Sequence, residues 1–110
     1  MIPVRDAFAL AFKHESAGRP DAALAIYKQI LAAIPEHPGA LLKIALNELV
    51  HGRPDAARAL MVRAIDSASA QQLPAADIWV ALGRLDLEQG DHDAARHAFE
   101  EAAAAGCAEP

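Results

Sequence analysis

Gly18-Arg19-Pro20-Asp21-Ala22-Ala23 recurs as Gly52-Arg53-Pro54-Asp55-Ala56-Ala57, 34 positions further along the chain. A period of that length points to stacked structural units. A looser third copy, Gly90-Asp91-His92-Asp93-Ala94-Ala95, starts 38 positions after the second and keeps the Gly, an Asp and the paired Ala. Each copy reads as a break followed by a helix start. Gly permits the left-handed backbone of a tight turn, Pro is tolerated in the first helical turn, and Asp there complements the helix dipole. The predicted unit is helix, tight turn, helix.

The apolar spacing on either side of the turns agrees. Ala23, Ile26, Tyr27, Ile30, Leu31 and Ile34 follow the period of one helix face, as do Ala57, Leu60, Met61, Ala64, Ile65 and Ala68, and again Ala95, Ala98, Phe99, Ala102, Ala103 and Gly106. Ahead of the turns a shorter pattern recurs as Ala7, Leu10, Ala11, then Leu41, Ile44, Ala45, then Trp79, Leu82, Gly83. Small residues at these positions let two helices approach while larger neighbours fill the gap. Six helices are predicted, near 4–17, 21–34, 39–51, 55–70, 75–89 and 92–105, with Pro35 and Pro38 marking the first junction. The second junction is longer by four residues, 72–75. Four residues are about one helical turn, so the fourth helix can run on without rotating the next unit; a flexible linker is the alternative.

These residues resemble the tetratricopeptide repeat family, whose 34-residue helix-turn-helix carries Trp-x-x-Leu-Gly-x-x-Tyr, then Ala-x-x-x-Phe and a closing Pro. Trp79, Leu82, Gly83, Gly90, Ala95, Phe99 and Ala102 fit in the third copy, Leu10, Ala11, Gly18, Ala23, Tyr27 and Pro35 in the first, and Ile44, Ala45, Gly52, Ala57, Met61 and Ala64 in the second. The resemblance implies an all-α fold, a right-handed superhelical array of three repeats in one domain, 1–110, divided at about 4–37, 38–71 and 76–109. Where the motif places Tyr in the first helix, this chain has His14, Glu48 and Asp86. They are read either as a functional polar row or as groups reaching solvent or a neighbouring backbone, because unpaired buried charge is costly. Equivalent positions on successive repeats stand too far apart to share one metal ion.

Composition narrows the function. The 110 residues are 54% hydrophobic, 23% charged and 5% aromatic, with 28 Ala and no Thr, a balance that favours helix over sheet. Ten Lys and Arg against fifteen Asp and Glu give a net charge of -5, which excludes a generalised basic field for nucleic acid. No apolar run approaches the ~20 residues of a membrane span. The single Cys107 can close no intrachain disulfide and has no His or cation beside it in sequence, so an unreactive thiol in a reducing, cytoplasmic setting is expected. No nucleophile-base pair, metal-ligand set or phosphate loop can be assembled, so neither catalysis nor a cofactor or metal is expected. His92 and His97 lie about 140° apart around a helix and do not converge, and Asp91 and Asp93 are read as turn and capping residues.

By what the resemblance implies, the concave face carries Arg5, Phe8, Phe12, Leu42, Lys43, Leu46, Leu49, Val50, Val80, Ala81, Arg84 and Leu87. The carboxylate-gripping variant of such grooves uses Lys and Asn at set inner positions. Here those places hold Phe8, Phe12, Lys43, Asp77 and Ala81, so an apolar groove rimmed by Lys43 and Arg84 is expected instead, suited to an amphipathic helix or hydrophobic segment of a partner protein. About half of that face is expected to be ordinary core. No polar terminal helix follows the sixth, so its Ala-rich edge calls for a cover: a second copy of the chain, as in a homodimer, or a following domain. The first makes the chain a protein-interaction module. The second makes it the N-terminal accessory region of a larger bacterial enzyme, as precedes some glycosyltransferases, sulfotransferases and aspartyl/asparaginyl hydroxylases.

Overall fold

A computed structural model of the chain describes residues 3–107, with side chains as far as Ala105. Six α-helices run in order: α1 Val4–Ser16, α2 Pro20–Ala33, α3 Pro38–Val50, α4 Pro54–Ala70, α5 Ala76–Glu88 and α6 His92–Ala102. The backbone then widens into a π-helical turn over Ala103–Cys107, where the sequence reading continues the sixth helix to 105. No strand occurs among the described residues. Helices α2, α3 and α4 each begin on their proline, one residue earlier than the spacing predicts, because a first-turn residue needs no N–H donor.

The three tight turns share one geometry. Gly18, Gly52 and Gly90 have φ of 77°, 73° and 80°, a left-handed conformation that suits glycine. At each turn two backbone N–H groups reach back to otherwise orphaned carbonyls: Gly18 to Glu15 and Arg19 to His14, Gly52 to Leu49 and Arg53 to Glu48, Gly90 to Leu87 and Asp91 to Asp86. This is the Schellman closure. It reverses the chain within three residues and packs α1 on α2, α3 on α4 and α5 on α6.

The hairpins stack side by side, α2 against α3 and α4 against α5. One apolar cluster joins Ala11, Ala23, Tyr27 and Ile30 of the first hairpin to Ala40 of the second. A second cluster runs from Leu41 and Met61 through Ile65 to Ile78, Leu82 and Leu85 of the third. Ala11, Ala45, Ala57 and Ala64 are fully buried where helices cross. Gly83 serves the same purpose: a Cβ there would stand 2.8 Å from Cε1 of Phe99, so the ring of α6 lies directly on the α5 backbone.

The longer second junction is mostly helix. α4 has 17 residues against 14 in α2, and Gln71–Ala75 link it to α5. Near the end of α4 the Ser67 hydroxyl donates to the Glu36 carbonyl at 2.5 Å, and the side chain of Gln71, just past the helix, donates to that hydroxyl at 2.7 Å. Arg63 of the same helix holds the Glu36 carboxylate at 2.8 Å. The second half of α4 therefore fastens the loop between the first two hairpins. The whole measures 43 × 31 × 26 Å, an elongated stack rather than a closed bundle.

Candidate functional site

Helices α1, α3 and α5, the first of each hairpin, present one face to solvent. Between α3 and α5 that face sinks into a groove of about 320 Å³ whose floor and walls include Leu42, Leu46, Leu49, Val80 and Ala81. Leu42 and Leu49 lie on the central apolar cluster, while Leu46 stays exposed. Asp77, in the first turn of α5, and Glu88, its last residue, edge the groove, with Arg84 between them.

A second depression, of about 300 Å³, lies where α1 and α2 meet α3 and includes Leu46, Val50 and Lys43. Its chemistry is set by a small polar cluster. The Tyr27 hydroxyl donates to Glu15 Oε1 at 2.8 Å, and Lys43 Nζ lies 3.5 Å from the same oxygen and 5.5 Å from the centre of the Phe12 ring. Burial, and then the hydrogen bond to the Glu15 carboxylate, push the Tyr27 phenol well above the usual tyrosine range. Lys43, expected at the rim of the groove, is thus held by Glu15 and Phe12 in this neighbouring depression. Arg84 has no ion-pair partner among the described residues.

The remaining groove candidates separate. Phe8 faces inward, its ring 5.3 Å from that of Tyr27 in an edge contact and 5.7 Å from that of His37 in a stack, so it joins the first two hairpins instead of lining the groove. Phe12 and Arg5 are exposed on α1 outside the α3/α5 groove. Leu87 borders a depression on the far edge of the third hairpin. Phe8, Leu42 and Leu46 are none of them sealed inside a closed bundle.

The polar row resolves into arginine pairs. Arg19 Nε donates to His14 Nδ1 at 3.2 Å, and Arg53 Nε grips both Glu48 oxygens at 2.8 and 3.0 Å. Both arginines are the second residue of the Gly-Arg-Pro turn, so Schellman geometry carries each guanidinium back over the helix it closes. The hydrogen bond from Arg53 holds the Glu48 carboxyl below its usual range. The third turn has Asp91 in that place, and Asp86, which is buried, is met instead by Arg58 of α4. These groups reach neighbouring side chains, not the backbone. Asp91 caps α6 by accepting the Ala94 N–H at 3.1 Å, and His37 caps α3 by accepting that of Ala40 at 3.1 Å.

Among the described residues no group of His, Cys, Asp and Glu is arranged to hold a metal ion. His92 and His97 are exposed, the latter edge-on to Trp79 at 5.8 Å. No helix there is long and apolar enough to cross a membrane. The side chain of Cys107 lies outside the described ones.

Three helical hairpins closed by one turn geometry and stacked around an open face define a helical-repeat protein. Tetratricopeptide repeat profiles match residues 15–73 and 76–105, and the chain belongs to the tetratricopeptide repeat family. The globular C-terminal domain of LpoP from P. aeruginosa has the same fold, with a TM-score of 0.73 at 24% identity over 91% of this chain and 94% of that one. A comparison with curated proteins finds no match. Repeats of this family generally serve as protein–protein interaction modules and are typically non-catalytic.

Proposed function

We propose that this chain is a non-catalytic docking module whose α3/α5 groove takes an apolar segment of a partner protein, presented as an amphipathic helix. The groove carries the proposal. Six aliphatic side chains line it on two helices, Leu85 among them, and Asp77, Arg84 and Glu88 stand along its edge. Contiguous apolar surface exposed in this way marks interaction sites, and a helix with one apolar stripe fits a groove between two others. The charged edge favours a partner whose polar flanks carry both signs. Self-association belongs to the same proposal, with the two ends of the array as its faces.

The test is a displayed library of helical peptides selected against the chain. Binders are expected to weaken on the order of tenfold or more with Leu46→Glu, about 1.4 kcal/mol, and to bind Leu73→Glu, altered in the linker, as they bind wild type. Binders indifferent to Leu46→Glu would end the groove assignment.

A further inference from the structure

The two ends of this array expose residues whose counterparts in other repeats are buried. The place of Leu10 in the first hairpin is taken by Leu82 in the third, and Leu82 is 7% exposed while Leu10 is 39%. The place of Phe99 in the third hairpin is taken by Tyr27 and Met61 in the others, which are 2% and 0% exposed against 38% for Phe99. Residues that are sealed inside the stack are thus repeated, unsealed, at its ends. Val4, Leu10, Ile26 and Ile30 line a depression of about 330 Å³ at one end, and Leu87, Ala95, Phe99 and Ala103 line one of about 470 Å³ at the other.

The second of these repeats a seat already filled within the chain. On the first hairpin, Glu15, Ala23 and Tyr27 share a depression with Leu46 and Asn47 of α3. Leu87, Ala95 and Phe99 occupy the matching places on the third hairpin. A helix with the sequence of α1 laid there puts Phe12 at the place of Leu46 and Lys13 at that of Asn47. Asn47 shares its depression with Asp21, and the counterpart of Asp21 is Asp93, so Lys13 comes to lie beside Asp93. The wider charge agrees. Residues 76–102 carry seven acidic side chains against two basic ones, and residues 4–33 carry four basic against three acidic.

We infer that a second copy of this chain docks its α1/α2 edge on the α5/α6 edge of the first, continuing the stack head to tail. This rests on the self-association in the proposed function and is independent of what the groove binds. The contact is heterologous, joining different surfaces of the two copies, so each addition leaves one edge of each kind exposed and association does not stop at a dimer. Burial of Leu10 and Phe99 drives it, and the Lys13–Asp93 pair sets its direction.

Analytical ultracentrifugation of the wild-type chain over a wide concentration range should show a mass that climbs past two chains. Leu10→Glu and Leu87→Glu, both at exposed positions, should each be monomeric. Mixed in equal amounts they retain one intact edge of each kind and should form a species of two chains and none larger. Lys13→Glu and Asp93→Lys should each weaken association, and the double variant should recover it; these exposed sites carry the test if a leucine variant fails to fold by circular dichroism. A wild-type monomer at every concentration, a dimer formed by Leu10→Glu alone, or no recovery in either the mixture or the double variant would overturn the inference. None of these substitutions touches the α3/α5 groove, so peptide binding there stands or falls separately.

Discussion

At Gln72 the backbone has φ of 57°, in the left-handed region that glycine occupies at the three tight turns. Its N–H bonds the Ser69 carbonyl and that of Leu73 the Ala68 carbonyl, so α4 ends in the same closure without the residue that favours it. Gln72→Gly should therefore stabilise the chain by about 0.5–1 kcal/mol, the relief of left-handed strain less the added freedom of the unfolded glycine, seen as a melting temperature raised by a few degrees. Gly83→Leu should do the opposite, costing about 1–3 kcal/mol by driving into the Phe99 ring. Two groups give stability a pH dependence. The raised Tyr27 phenol contributes fully below the unfolded value of about 10, and its contribution is lost as pH climbs through the folded-state value. The depressed Glu48 carboxyl contributes above its unfolded value and is lost as pH falls through the lower folded one. Melting curves across pH should flatten on the alkaline side with Tyr27→Phe and on the acid side with Glu48→Gln; unchanged profiles would mean these contacts are not kept in solution.

Helices in this chain are held by close crossings at alanine. Ala23 and Ala57 are buried against the partner helix of their own hairpin, and Ala23→Asp or Ala57→Asp places a carboxylate there at a cost of several kcal/mol. Loss of the circular-dichroism melt is the expected result. Removal of the α3 cap by His37→Ala should cost about 0.5–2 kcal/mol, with part of the loss coming from the ring stacked on Phe8. The helices themselves were legible in the sequence because their signals are local: a glycine that must turn left-handed, a proline that must start a helix, an apolar face of fixed period. The concave face came from the family resemblance instead, which assigns Leu42, Leu46 and Leu49 to it; the helical period by itself picks out Leu41, Ile44 and Ala45. What the sequence did not disclose depends on contacts across repeats. Arg58 meets Asp86 from the preceding hairpin, Lys43 is taken up by Glu15, and Phe8 turns toward His37 and Gly39. No local spacing encodes those choices. The exposure of Leu10 and Phe99 was within reach, because matching places along the period show which residues lack a neighbour.

Taken as a stack, the molecule has the larger of its two apolar clusters at its middle, running from α3 through α4 into α5. Arrays whose units touch only their neighbours open from the ends, so amide hydrogen exchange should be slowest in α3, α4 and α5 and fastest in the first turn of α1 and the end of α6. Uniform protection along all six helices would show that the array opens only as one unit. The uneven distribution of carboxylates adds a property that the fold alone does not. With its acid gathered in the last hairpin and slight excess base in the first, the molecule is an electrical dipole directed along the stack. A sensor coated with amines will therefore grip the acidic pole and hold the molecules upright, leaving their first hairpins facing the buffer.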